Sequence, residues 1–235
     1  MPLTDSNGID HYETGLLTFC HLQKGHFRQL KRLHQTVNTM WDDAINSLVE
    51  EQHTRVATIE DEEERQWTAE SYSHDIVDRI QMEEIHQRAL LTALQSQLER
   101  SLFGLCRLIA ETHKLAGRDS TPLEEFKTNK GIKRGLSYLT KVAQFELSGI
   151  AHSRNIVMDV QQVRNHITHN HHEITTAALA STIGKHPTWF EGKQGDTLQI
   201  TPLFAPEYVK EIDHLFDALQ EQVITFIAAL STDST

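Results

Sequence analysis

The chain has 235 residues, among them five prolines, 11 glycines and two cysteines, and a formal net charge of −11. That length suits one domain, or one domain with an extension, and can bury a core without disulfides or metals. The charge argues against a protein that coats nucleic acid by bulk electrostatics, while leaving room for a small basic site on an acidic body.

Taken in chain order, the elements are mostly helical. Leu30, Leu33, Val37, Met40, Trp41, Ala44, Ile45 and Leu48 recur at three- and four-residue steps, which predicts an amphipathic helix over about residues 13–52. The polar stretch 53–72 contains EDEEER at 60–65 and reads as a solvated helix face or a linker. Leu91, Leu94, Leu98, Leu102, Leu105 and Ile109 predict a second long helix over about 74–115, with Gly117 as its stop. Thr121-Pro122-Leu123-Glu124 has the form of a helix start, predicting a third helix to about Val142. It is the most basic stretch of the chain, with Lys127, Lys130, Lys133, Arg134 and Lys141. A fourth helix over about 146–170 turns Ile156, Val160, Val163 and Ile167 inward. Residues 188–201, with Gly192 and Gly195 between two β-prone arms, predict a hairpin. Pro206 opens a last helix to about Leu230.

The fold class expected from this pattern is all-α, an antiparallel helical bundle with a small β-hairpin before the last helix. Residues 1–73 read as a helical extension packing on the bundle and 74–235 as the bundle itself. Cys20 and Cys106 form no CxxC pair and are expected to be reduced core residues of a cytoplasmic protein. No basic stretch leads into an apolar run near the start, so no signal peptide is expected, and no run reaches the roughly 18 apolar residues of a membrane span.

The chemistry concentrates in RNHITHNHH, residues 164–172. On a helix Asn165 and His169 share a face, and the long Arg164 side chain can swing over the same spot. A cation, an amide and an imidazole at a helix end suit phosphodiester chemistry. Imidazole can take a proton from an RNA 2′-hydroxyl or give one to the leaving 5′-oxygen, and guanidinium holds phosphate oxygens. This needs no metal or cofactor. Base and acid act on opposite sides of the phosphorus, so two copies of His169 related by a two-fold axis would serve both roles. His166, His171 or His172 of the same chain could also supply the second group.

Arg164-Asn165-His166-Ile167-Thr168-His169 resembles the Arg-x(4–6)-His motif of HEPN domains, with a polar residue after the arginine and Asn170 after the histidine. KGIKRGLSYLTKV at 130–142 is similar to the helix that precedes the motif helix in many of them, and the likeness covers roughly residues 75–232. The resemblance implies a metal-independent endoribonuclease, a toxin or defence component that dimerises to build a composite site and can have an antitoxin or other defence protein as partner. Arg164 and His169 would be catalytic and Asn165 supporting. RNA contacts are expected from His166, Asn170, His171, His172 and Lys130. Many toxins of this kind carry Tyr where this chain has His171, so the regulation by tyrosine modification known for that arrangement does not transfer. Two other readings stand beside this one. The first is a non-catalytic HEPN module that binds RNA, nucleotide or a protein. The second is a histidine metal site using His166 and His169 with His171 or His172. Trp189 and Phe190 can either stack on bases or pack on the bundle.

Overall fold

The computed structural model describes residues 11–169 and 172–232. Six helices and one short hairpin follow in the order α1 (His11–Ala57), α2 (Glu62–Leu115), α3 (Gly131–Lys141), α4 (Ala151–His169), α5 (Ala177–Gly184), β1 (Phe190–Glu191), β2 (Gln199–Ile200) and α6 (Phe204–Thr232). The fold is all-α with a small hairpin before the last helix.

α1 and α2 form an antiparallel pair of unusual length. The segment expected to be a solvated face or linker is a tight turn followed by a helix start. Asp61 caps α2 by accepting from the Glu64 amide at 2.8 Å, and Glu62, Glu63 and Glu64 occupy the first turn, where carboxylates suit the helix dipole. Arg65 closes the turn by donating to the carbonyls of Ile59 and Glu60. α2 therefore starts twelve residues before the expected position 74, and the boundary drawn at 73/74 falls inside an unbroken helix. It ends as expected at Gly117, whose φ of +71° permits the Arg118 amide to reach the His113 carbonyl at 2.9 Å and the Gly117 amide that of Lys114.

Only part of this helical pair lies in the core. Leu16, Cys20 and Phe27 of α1 and the α2 stripe from Leu90 to Ile109 are buried, and they pack with α4 and α6. Between residues 35 and 86 no side chain is buried. The α1 stripe read from the sequence lies mostly here, half-buried along a seam with α2, and Leu33 and Met40 stand more than half exposed. Polar contacts knit the seam: Tyr72 Oη donates to Glu51, Gln52 Nε2 to the Ala69 carbonyl, and Gln87 Nε2 to Asn38 Oδ1. The result is an arm reaching about 35 Å beyond the bundle. Of the chain's 33 Asp and Glu side chains, 14 lie on it, with three of the 22 Lys and Arg. The arm carries a formal −11, and the remaining 19 acids and 19 bases balance.

In the bundle, Gln95 of α2 is buried and donates to Tyr208 Oη of α6 at 2.7 Å and to the Val157 carbonyl of α4 at 3.4 Å, so one amide ties three helices together. α3 begins later than expected. Residues 122–126 form turns instead of a capped helix, because Asn129 (φ +65°) and Gly131 (φ +56°) break the helical path. Arg134 holds this loop by donating to the carbonyls of Phe126 and Leu123. The fourth helix likewise starts at Ala151, after a 3-10 turn at Ser148–Ile150, and not near 146. α5 was not anticipated: Thr176 caps it, and Leu179 and Ile183 seat it on the bundle. Pro206 falls in the first turn of α6, where a missing amide proton costs no helical bond. Both cysteines are free and buried, and burial pushes the Cys20 thiol up to about 11 and that of Cys106 to about 12.

Candidate functional site

The motif occupies the last turns of α4. The core-facing stripe of this helix runs Ser153, Val157, Val160, and Arg164 continues it. Arg164 thus leaves the helix on the buried side and is half-buried, yet its Nη1 turns outward and donates to Asn165 Oδ1 at 3.2 Å. Its Nε is enclosed without a hydrogen-bond partner, and among the described residues no carboxylate pairs with it. A guanidinium that meets an amide oxygen and no counter-ion keeps its charge available to an incoming anion.

Asn165 is exposed. It shares a stripe with Arg154, Met158 and Gln161, at offsets that keep to one side of a 3.6-residue helix. His169 lies four residues further, so its position falls on this same side. The His169 side chain, with Asn170 and His171, lies outside the described residues. α3 runs beside this stripe with its start against Gln161: a Cβ built on Gly131 would come 2.4 Å from Gln161 Nε2. Lys130, the residue before that start, is exposed and makes no capping bond with its side chain.

The histidines do not behave alike. His166 is only 8% exposed and its Nε2 meets the Glu173 carbonyl oxygen. Here the expectation of an RNA contact is corrected, because a buried ring engaged by the backbone cannot face a ligand. Of the histidine metal set, His169 and His171 have side chains outside the described residues, and no cluster of three potential ligands occurs among the described residues. His172 takes a positive φ of 70°, a conformation in which His is tolerated better than most residues, and its carbonyl accepts from the Leu198 amide at 2.8 Å. The Ile174 amide in turn donates to the Asp196 carbonyl, and Glu173 bridges to Thr197. Residues 172–174 therefore lie against the hairpin through one isolated bridge, and His166 ties them to α4.

The hairpin itself pairs Phe190 with Ile200 and Glu191 with Gln199. Trp189 and Phe190 are buried and pack edge-on or tilted against Phe204 and Tyr208, so they are packing residues and offer no face to a base. Behind the motif, Asp159 of α4 accepts from Lys185 Nζ and His186 Nε2, both at 3.1 Å, which fixes the end of α5 to α4. Neither this tether nor the Arg154–Met158–Gln161–Asn165 stripe figured in the motif reading. The stripe was legible as a helical spacing that stays half-exposed within an otherwise apolar helix.

Neither a protein-family model, nor a curated protein, nor a solved structure matches this chain. Among the described residues, no helix is long and apolar enough to cross a membrane.

Proposed function

We propose that the protein is a metal-independent endoribonuclease of the HEPN kind, acting on RNA as a homodimer. The observation that carries this reading is the Arg164–Asn165 pair: a guanidinium with no counter-ion among the described residues, aimed at the stripe of α4 on which His169 falls. In the reaction, a base removes the proton of an RNA 2′-hydroxyl, and the O2′–P bond forms as the P–O5′ bond breaks. An acid then protonates the departing O5′, leaving a 2′,3′-cyclic phosphate and a free 5′-hydroxyl. Arg164 holds the charge that builds on the non-bridging oxygens, and Asn165 orients a phosphate oxygen or the imidazole. His169 moves protons, and its copy in the second subunit supplies the opposite role. A toxin or defence function, with a separate neutralising partner, follows from the resemblance of the motif.

The test is incubation of purified protein with RNA in EDTA. Cleavage that yields cyclic-phosphate ends and vanishes in His169→Ala and Arg164→Ala supports the assignment. Intact RNA binding without cleavage makes the protein a binding module instead, and a stoichiometric copurifying metal would replace both readings.

A further inference from the structure

Between α3 and α4 lies a groove of about 460 Å³ that no part of the motif reading used. Its polar lining is basic: Lys133 and Lys141 come from α3 and Arg154 from α4, and no carboxylate lines it. None of the three cations forms an ion pair among the described residues. Leu136, Leu147 and Met158 make an apolar floor, and Ser137 and Thr140 complete the lining. Asn129 Nδ2 donates to Ser137 Oγ at 2.8 Å, which leaves the Ser137 proton free to be donated onward. Three uncompensated cations around an apolar floor are matched by a ligand with repeated anionic groups and flat, weakly polar bodies between them.

The position of the groove selects among such ligands. Arg154 and Met158 belong to the α4 stripe that continues through Gln161 to Asn165. From Arg154 to Asn165 the stripe runs about 16 Å, the length of a short run of nucleotides and too long for one. Bases reach the floor only if they are unstacked, as in single strands. The acidity of the chain does not oppose this, because the formal −11 sits on the arm and the rest of the chain is balanced.

We infer that the α3–α4 groove binds single-stranded RNA, with Lys133, Lys141 and Arg154 on successive phosphates, and delivers the strand to Arg164 and Asn165. This rests on the nuclease reading for its destination, though binding in the groove can be measured without cleavage.

The probe is a fluorescently labelled 2′-O-methyl oligouridine of eight nucleotides, which binds but cannot be cut by 2′-hydroxyl attack, titrated by anisotropy with the full chain. The combined Lys133→Ala, Lys141→Ala, Arg154→Ala variant is expected to bind at least about tenfold more weakly, and each cation lost should reduce the salt slope by about 0.7. Thr140→Trp, which fills the groove without changing charge, is expected to weaken binding as well, whereas Lys31→Ala on α1 is not. Circular dichroism and melting of each variant show that it is folded. The inference is overturned if the unmodified chain fails to bind the probe, if the groove variants bind normally, or if uridine monophosphate competes as well as the oligonucleotide at equal concentration. Loss of binding in the groove variants, in a protein that cuts no RNA, would sustain the groove and remove the nuclease. Normal binding and cleavage in the same variants would do the reverse.

Discussion

The imidazole of His166 meets the backbone carbonyl of Glu173, so one histidine of the run ties the end of α4 to the chain beyond it. The bond is part-buried and joins a helix to the isolated bridge beside the hairpin. His166→Ala is expected to cost about 1–3 kcal/mol, because it removes a buried ring together with its hydrogen bond to the chain beyond the helix. Chemical denaturation measures the cost. Amide exchange in 172–174 should accelerate more than in α2, and equal acceleration in both would show that the bond does not hold the loop.

Arg164 tests the chemistry without testing the fold. Among the described residues its guanidinium makes a single hydrogen bond, to a neighbouring exposed amide, so Arg164→Lys should leave stability within about 1 kcal/mol. Lysine keeps the charge and loses the fork. RNA cleavage in EDTA should fall by about 10²-fold or more, as for loss of a donor to developing phosphate charge. Retained activity would remove Arg164 from the site.

A pair of histidines at the base of the arm predicts a pH dependence. His34 Nε2 lies 3.2 Å from the Pro202 carbonyl, which can only accept, so that nitrogen carries the proton and Nδ1 accepts from His86 Nε2 at 3.3 Å. Both rings are neutral in this arrangement. Burial depresses both below the ordinary histidine range, and in His34 it outweighs the upward effect of the Pro202 carbonyl. The unfolded chain therefore takes up protons that the folded chain refuses. Stability is full above about pH 6.5 and falls as the pH drops from there toward the depressed values. Urea midpoints between pH 7.5 and pH 5 should decline, and His86→Gln, which keeps a donor without a titrating ring, should flatten the decline. An unchanged slope in that variant would place the dependence elsewhere.

Tyr208 probes the amide that joins three helices. Tyr208→Phe removes the acceptor of Gln95 Nε2 from a fully buried site, leaving the longer bond to the Val157 carbonyl. The expected cost is about 1–2 kcal/mol by thermal or urea unfolding. A neutral effect would mean that the Val157 bond alone satisfies the amide.

The helices that face the core were legible because burial imposes a period: the α2 stripe from Leu91 to Ile109 and Ile156, Val160, Val163 and Ile167 of α4 fell where the spacing put them. What escaped was structure held by other means. The first turns of α2 carry Glu62, Glu63 and Glu64 where a core helix shows apolar residues, and the cap at Asp61 with the polar seam to α1 sustains them. The capping signal at Thr121-Pro122-Leu123-Glu124 lost to the positive-φ residues Asn129 and Gly131, which periodicity does not see. α5 is too short to show a stripe. At the candidate site, the shared face of Asn165 and His169 followed from spacing alone. That His166 turns inward depended on the Glu173 carbonyl, a partner supplied by chain geometry beyond the helix.

The arm makes the protein an electrical lever. Its charge lies at one end of a rod, while the remaining acids and bases cancel. At physiological salt the screening distance is about 8 Å, so a polyanion docked on the bundle scarcely feels the far end. In dilute salt, where screening reaches about 30 Å, the same polyanion repels the tip and turns the molecule until the arm trails. The acid that seems to forbid such an encounter would then set the angle at which it happens.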